Sequence, residues 1–127
     1  MAIQWLDSET VTELNKIALY EGERHARNPG SDLEGALGRP WTWYRYKGVS
    51  SLPTLAAVYA MAIVQAHPFQ DGNKRTALLA IRAFLRVNGV PFEYGPHDEE
   101  AAEMMLAVAQ HNISAEELAA WIEKSAD

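Results

Sequence analysis

The sequence predicts an all-α fold, a compact bundle of about six helices packed around two central ones. Three observations predict it. Apolar residues recur at helical spacing over most of the chain, with helix-start signals ahead of them. From Gly48 to Gln70 there is no Asp, Glu, Lys or Arg, the mark of a helix apolar nearly all round and therefore central. The chain has 127 residues, 48% of them hydrophobic, which suffices to bury one core. Residues 1–127 therefore read as a single domain, without internal repeats or low-complexity segments.

In chain order, Val11, Leu14, Ile17 and Ala18 mark a first helix over about residues 8–27, with Thr10 and Glu13 placed as a capping box. Asn28-Pro29-Gly30-Ser31 breaks it, and residues 32–37 form a short second helix. Residues 39–46 hold Trp41, Trp43, Tyr44 and Tyr46 without a helical period and read as an extended connection, partly strand-like. Ser51 and Pro53 open the first central helix, which runs to about Ala66. The second central helix covers about residues 73–88, with Leu78, Ile81 and Leu85 on its apolar face and Arg75, Arg82 and Arg86 on a common stripe. Asn88-Gly89 stops it. Residues 90–94 suggest a minor β-hairpin. Residues 95–98 open a further helix with Ala101, Met104, Met105 and Val108 inward, and Ser114 with Glu117 caps a last one carrying Leu118, Trp121 and Ile122.

Composition narrows the function classes. Cysteine is absent, which removes disulfide and thiolate chemistry and suits a cytoplasmic setting. The first residues carry no basic stretch, so no signal peptide is expected, and the apolar run over 49–69 is interrupted by prolines and reads as buried, not membrane-spanning. The net charge is −6, but residues 39–92 hold seven Lys/Arg and a single acid, Asp71. A basic middle inside acidic flanks argues against direct nucleic-acid binding and suits a local anion site.

That site is the loop between the central helices, His67-Pro68-Phe69-Gln70-Asp71-Gly72-Asn73-Lys74-Arg75. It ends at a helix start, where backbone N–H groups lack intrahelical partners and the dipole is positive. Gly72 permits a tight turn and close approach; with Asn73, Lys74 and Arg75 the place is a phosphate cradle. Asp71 is positioned to hold Mg²⁺ and His67 to accept a proton. Phe69 is read as a core anchor. Singly, each residue has a plainer reading: His67 as a capping histidine or paired with Asp71, Arg75 as part of a solvated stripe, Lys74 as idle. Together within nine residues they point to phosphate-group transfer from a nucleotide. A metal hydrolase is disfavoured because too few further ligands lie near His67 and Asp71.

The nine residues resemble the H-x-F-x-D-[AG]-N-K-R signature of the death-on-curing (Doc) branch of the Fic/Doc, or Fido, family. Gly22-Glu23-Arg24-His25, residues 32–40, Ala56-Ala57-Val58-Tyr59 and Phe84-Leu85-Arg86-Val87-Asn88-Gly89 extend the likeness to about residues 22–89. The resemblance implies a Fido-type fold and a toxin of a toxin–antitoxin system. Fic proteins proper have glycine at the position of Lys74 and commonly transfer AMP; the Doc branch has lysine there and phosphorylates a protein hydroxyl, on elongation factor Tu in the known toxin, so arresting translation. By position, His67 would be the general base, Asp71 the Mg²⁺ ligand, and Gly72, Asn73, Lys74 and Arg75 the phosphate contacts of ATP. No Ser or Thr has Glu four residues on, so the family's inhibitory [ST]-x-x-x-E motif is missing from this sequence. The Doc pattern implies instead an antitoxin of the prevent-host-death type, binding as an amphipathic helix. Trp41, Trp43, Tyr44 and Tyr46 are candidates to line its groove. A nucleotidyl transferase and a non-catalytic antitoxin-binding corepressor are the alternatives.

Overall fold

The computed structural model describes residues 2–95 and 97–126. Seven helices make up its regular structure: α1 (Ser8–Ala18), α2 (Leu33–Leu37), α3 (Arg39–Lys47), α4 (Leu52–Ala66), α5 (Asn73–Val87), α6 (Glu99–Ala109) and α7 (Ala115–Ser125). The motif loop joins α4 to α5, as the sequence predicts.

α4 is the centre. It starts at Ser51, whose hydroxyl accepts from the Thr54 N–H, with proline in the first turn. It carries no charge, and α2, α3, α5, α6 and α7 all pack on it. Ala56, Ala57, Ala60 and Ala62 are buried and let those neighbours approach closely. α5 is amphipathic: Ala77, Leu78, Ile81, Phe84 and Leu85 face inward. Arg82 and Arg86 lie on its outer side, each 3.6 Å from Glu93. Phe84 is fully buried against Tyr59, ring centroids 5.0 Å apart, and against Trp5 at 6.0 Å. The Tyr59 hydroxyl accepts from the Leu6 N–H at 2.9 Å, which ties the N-terminal strap to the core. Burial pushes this phenol up to about 12, so it stays neutral. The Ser114–Glu117 capping box is fully formed at the start of α7.

Four expectations are corrected. α1 ends at Ala18, not near Arg27, because Leu19 turns extended and the following residues are drawn onto the motif loop. Its cap is Asp7, whose carboxylate accepts from the Thr10 N–H, rather than a Thr10–Glu13 box. The aromatic segment at 39–46 is helical: Pro40 sits in the first turn of α3, and Gly48 closes it in the left-handed conformation at φ 69°. Trp43 packs on the core while Lys47, one turn on, lies 4.0 Å from its ring centroid. Finally, residues 90–94 form no hairpin. Phe92 and Tyr94 do turn inward, onto Trp121 with ring centroids 5.8 and 5.1 Å away, but no second strand pairs with them. The one β-bridge among the described residues joins Arg27 to Phe69. Asp98 stands at the N-cap position of α6, within the expected 95–98 start, with its carboxylate accepting from the Gly95 N–H; Pro96 lies outside the described residues.

Phe84→Ala removes a fully enclosed ring between α4, α5 and the N-terminal strap. It is expected to lower unfolding free energy by about 3–5 kcal/mol, read from urea titrations.

Candidate active site

The loop is built from inside by Asn73. This side chain is buried, and its amide makes three hydrogen bonds. Oδ1 accepts from the Phe69 N–H at 3.0 Å, and Nδ2 donates to the Phe69 carbonyl at 2.7 Å and to His67 Nδ1 at 3.1 Å. The two bonds to the Phe69 backbone fix which end of the amide is which. His67 Nδ1 is therefore an acceptor, and the neutral ring carries its proton on Nε2. His67 itself ends α4 in the left-handed conformation, φ 49° and ψ 55°, which for a non-glycine residue costs about 1–3 kcal/mol. Phe69 is almost wholly buried and anchors the loop in the core, as expected.

A second layer comes from the irregular segment after α1. Asn28 donates its backbone N–H to the Pro68 carbonyl at 2.8 Å and its side-chain amide to the His67 and Phe69 carbonyls at 2.9 and 2.8 Å. The Gln70 N–H donates to the Ala26 carbonyl at 2.9 Å. Fully buried Asn15, on α1, donates to the Asp71 carbonyl at 2.9 Å and to the Thr76 hydroxyl at 3.1 Å. Its Oδ1 then accepts from His25 Nδ1 at 2.9 Å. Sequence reasoning did not single out Asn15 or Asn28. In the sequence Asn28 reads as part of a helix break, and Asn15 falls among the apolar positions of the first helix.

Gly72 adopts φ 79° at the start of α5, so the turn favours glycine, and a Cβ there would sit close against Leu19 at 3.3 Å and Asn15 at 3.4 Å. No side chain caps α5, so the first N–H groups of the helix are left for a ligand. Lys74 is exposed beside them. Arg75 is engaged already: its guanidinium makes a two-pronged pair with Glu23, both bonds 2.7 Å, and lies 3.9 Å from the Tyr20 ring centroid. Hydrogen bonds from Arg75 and from the Tyr20 N–H hold the Glu23 carboxyl down at about 2.

These groups share one polar cavity of about 510 Å³, lined by His67, Asp71, Gly72, Asn73, Lys74 and Arg75 together with Glu23 and His111. The sequence-selected residues are thus brought together, with two differences of orientation. The Asn73 amide faces the protein, and the Arg75 fork faces Glu23. For a divalent cation, Asp71 is the fitting group: one carboxylate oxygen accepts from the Arg24 N–H at 2.8 Å, leaving the other for coordination. No cluster of three or more His, Cys, Asp or Glu suited to a metal occurs among the described residues. A single carboxylate completed by substrate phosphates is the arrangement Mg²⁺ commonly takes. No described helix is long and apolar enough to cross a membrane.

Comparison with known proteins places the chain in a family. Residues 5–85 match the model of the Fic/DOC family. The chain is 34% identical over 103 residues to the protein kinase doc of Escherichia phage P1, covering 81% of this chain and 79% of that protein. It is 35% identical over 121 residues to the toxin Doc of Mycolicibacterium smegmatis, covering 92% and 89% respectively.

The Glu23–Arg75 pair predicts a pH signature. A carboxyl whose folded pKa is depressed contributes stability that is complete above its unfolded value of 4.5 and is lost as pH falls toward about 2. Glu23→Gln should melt below wild type near neutrality, with the gap between the two Tm values closing over that acid window. Thermal melts of both proteins from about pH 6 to about pH 2.5 check this.

Proposed function

Because the chain belongs to the Fic/DOC family, we propose that it is a Doc-like toxin that phosphorylates a hydroxyl of a target protein from ATP. Lys74 carries the reading. It stands exposed at the uncapped start of α5, where the Fic proteins it resembles have glycine; by that resemblance its side chain would fill room that glycine leaves for an α-phosphate. The relative named a protein kinase supports the same direction. In this reading the acceptor hydroxyl oxygen bonds to the γ-phosphorus, the bond from that phosphorus to the bridging oxygen breaks, and ADP leaves with the electron pair. His67 takes the hydroxyl proton. The ring lone pair that can accept it is the one Asn73 now covers, so acceptor binding must displace that hydrogen bond, either to expose Nδ1 or as the ring proton moves to Nδ1 and frees Nε2.

Gly72, the backbone N–H groups of Asn73 and its neighbours, and Lys74 hold phosphate oxygens; Arg75 lines the same cavity while paired with Glu23. Mg²⁺, when bound by Asp71, neutralises polyphosphate charge. By resemblance the target is elongation factor Tu, the setting is cytoplasmic, and the partner is an antitoxin of the prevent-host-death type. On α3, Trp41, Tyr44 and Tyr46 are exposed and remain candidates for that contact, whereas Trp43 is packed against the core.

The test uses ATP labelled separately at the α- and γ-phosphate, with elongation factor Tu as acceptor. Label is expected on the protein from the γ position only, and His67→Ala should abolish it. Label arriving from the α position alone contradicts phosphorylation and favours nucleotidyl transfer. Lys74→Gly is expected to weaken γ-transfer; unchanged γ-transfer would show that Lys74 does not set the direction of the nucleotide.

A further inference from the structure

Among the described residues, two that are not glycine hold a left-handed backbone: His67 at φ 49° and His111 at φ 58°. Both are histidines: His67 directly follows α4, His111 comes one residue later, after the Gln110 C-cap of α6, and both line the cavity of the motif loop. His111 lies in the turn from α6 to α7. Its N–H donates to the Val108 carbonyl at 3.1 Å, and the Asn112 N–H donates to the Ala107 carbonyl at 2.9 Å. This is the helix-ending pattern whose central position glycine ordinarily fills, because a Cβ there is strained. The turn needs nothing from an imidazole. His111 also lines the cavity, in company with Ala109, Asp71, Lys74 and Arg75. A residue that keeps a strained backbone where glycine would serve, and lines a site, is accounted for by the site.

We propose that His111 is a substrate-contact residue that donates a hydrogen bond to a phosphate oxygen of the bound polyphosphate in the cavity it shares with the α5 N-terminus. This rests on the nucleotide reading above and adds to it a group outside the motif, supplied by the C-terminal third of the chain. Phosphate would then be held by backbone N–H groups and Lys74 from α5, and by His111 from the turn after α6.

Turn geometry makes the test clean. Glycine suits φ 58°, so His111→Gly should melt no lower than wild type. Calorimetric titration with MgATP should nevertheless show about tenfold weaker binding, the loss of one hydrogen bond to a charged group. His111→Asn, which tolerates the same backbone and keeps an N–H donor, should bind between the two. The same loss is expected with magnesium tripolyphosphate, which lacks a base. Binding by His111→Gly equal to wild type overturns the proposal, as does a loss seen with MgATP but not with tripolyphosphate. If wild type itself binds neither ligand, the nucleotide reading falls with it, an outcome distinct from wild type and variant binding alike.

Discussion

The site depends on one buried amide. Asn73 is the first residue of α5, yet its side chain reaches back to the Phe69 N–H, the Phe69 carbonyl and the His67 ring. Those bonds satisfy backbone groups that the turn between α4 and α5 would otherwise leave unpaired beside the core. They hold Phe69 in its pocket, set the tautomer of His67 and let Gly72 open the helix in a left-handed turn. Without them, His67 would have little reason to stay in a strained conformation. Packing of α4 against α5 fixes the two ends of the loop; Asn73 fixes what lies between.

The segment after α1 is the second constraint. It gives up helix to lie along the motif loop, with Asn28, Ala26 and Arg24 bonding to successive loop residues. The Glu23–Arg75 pair closes this segment onto α5, and among the described residues Lys74 is left as the motif's cation without an ion-pair partner, lining the cavity. The pair makes two claims on Arg75, one from the fold and one from any phosphate. Because each hydrogen bond to Glu23 is charge-assisted, a ligand must match both to take the residue.

Much of this was legible in the sequence. The charge-free run announced α4, and the apolar stripe announced α5. The nine-residue motif announced the site, because His, Asp, Asn, Lys and Arg are hard to place together in a core for packing alone. What was not legible depends on tertiary contacts. Aromatic residues favour strands, and on α3 that local preference masked the proline start and glycine stop that make it helical. Residues 90–94 alternate inward and outward, but alternation makes a strand only when a partner exists. The early end of α1 follows from bonds to a loop some forty residues away, which no local pattern encodes. The inward turn of Asn73 and the capture of Arg75 were hidden for the same reason: residue type predicts chemistry, while orientation is set by neighbours.

The central claim is that the loop is prebuilt by Asn73 before any ligand arrives. Amide hydrogen exchange on the free protein tests it most directly. The Phe69 and Gln70 amides donate to Asn73 Oδ1 and to the Ala26 carbonyl, so both should exchange slowly, far below the rate of an open surface loop. In Asn73→Ala, protection at Phe69 should be lost while the amides in the middle of α4 stay protected. Fast exchange at Phe69 in the wild-type protein, or protection there that survives Asn73→Ala, would contradict the account.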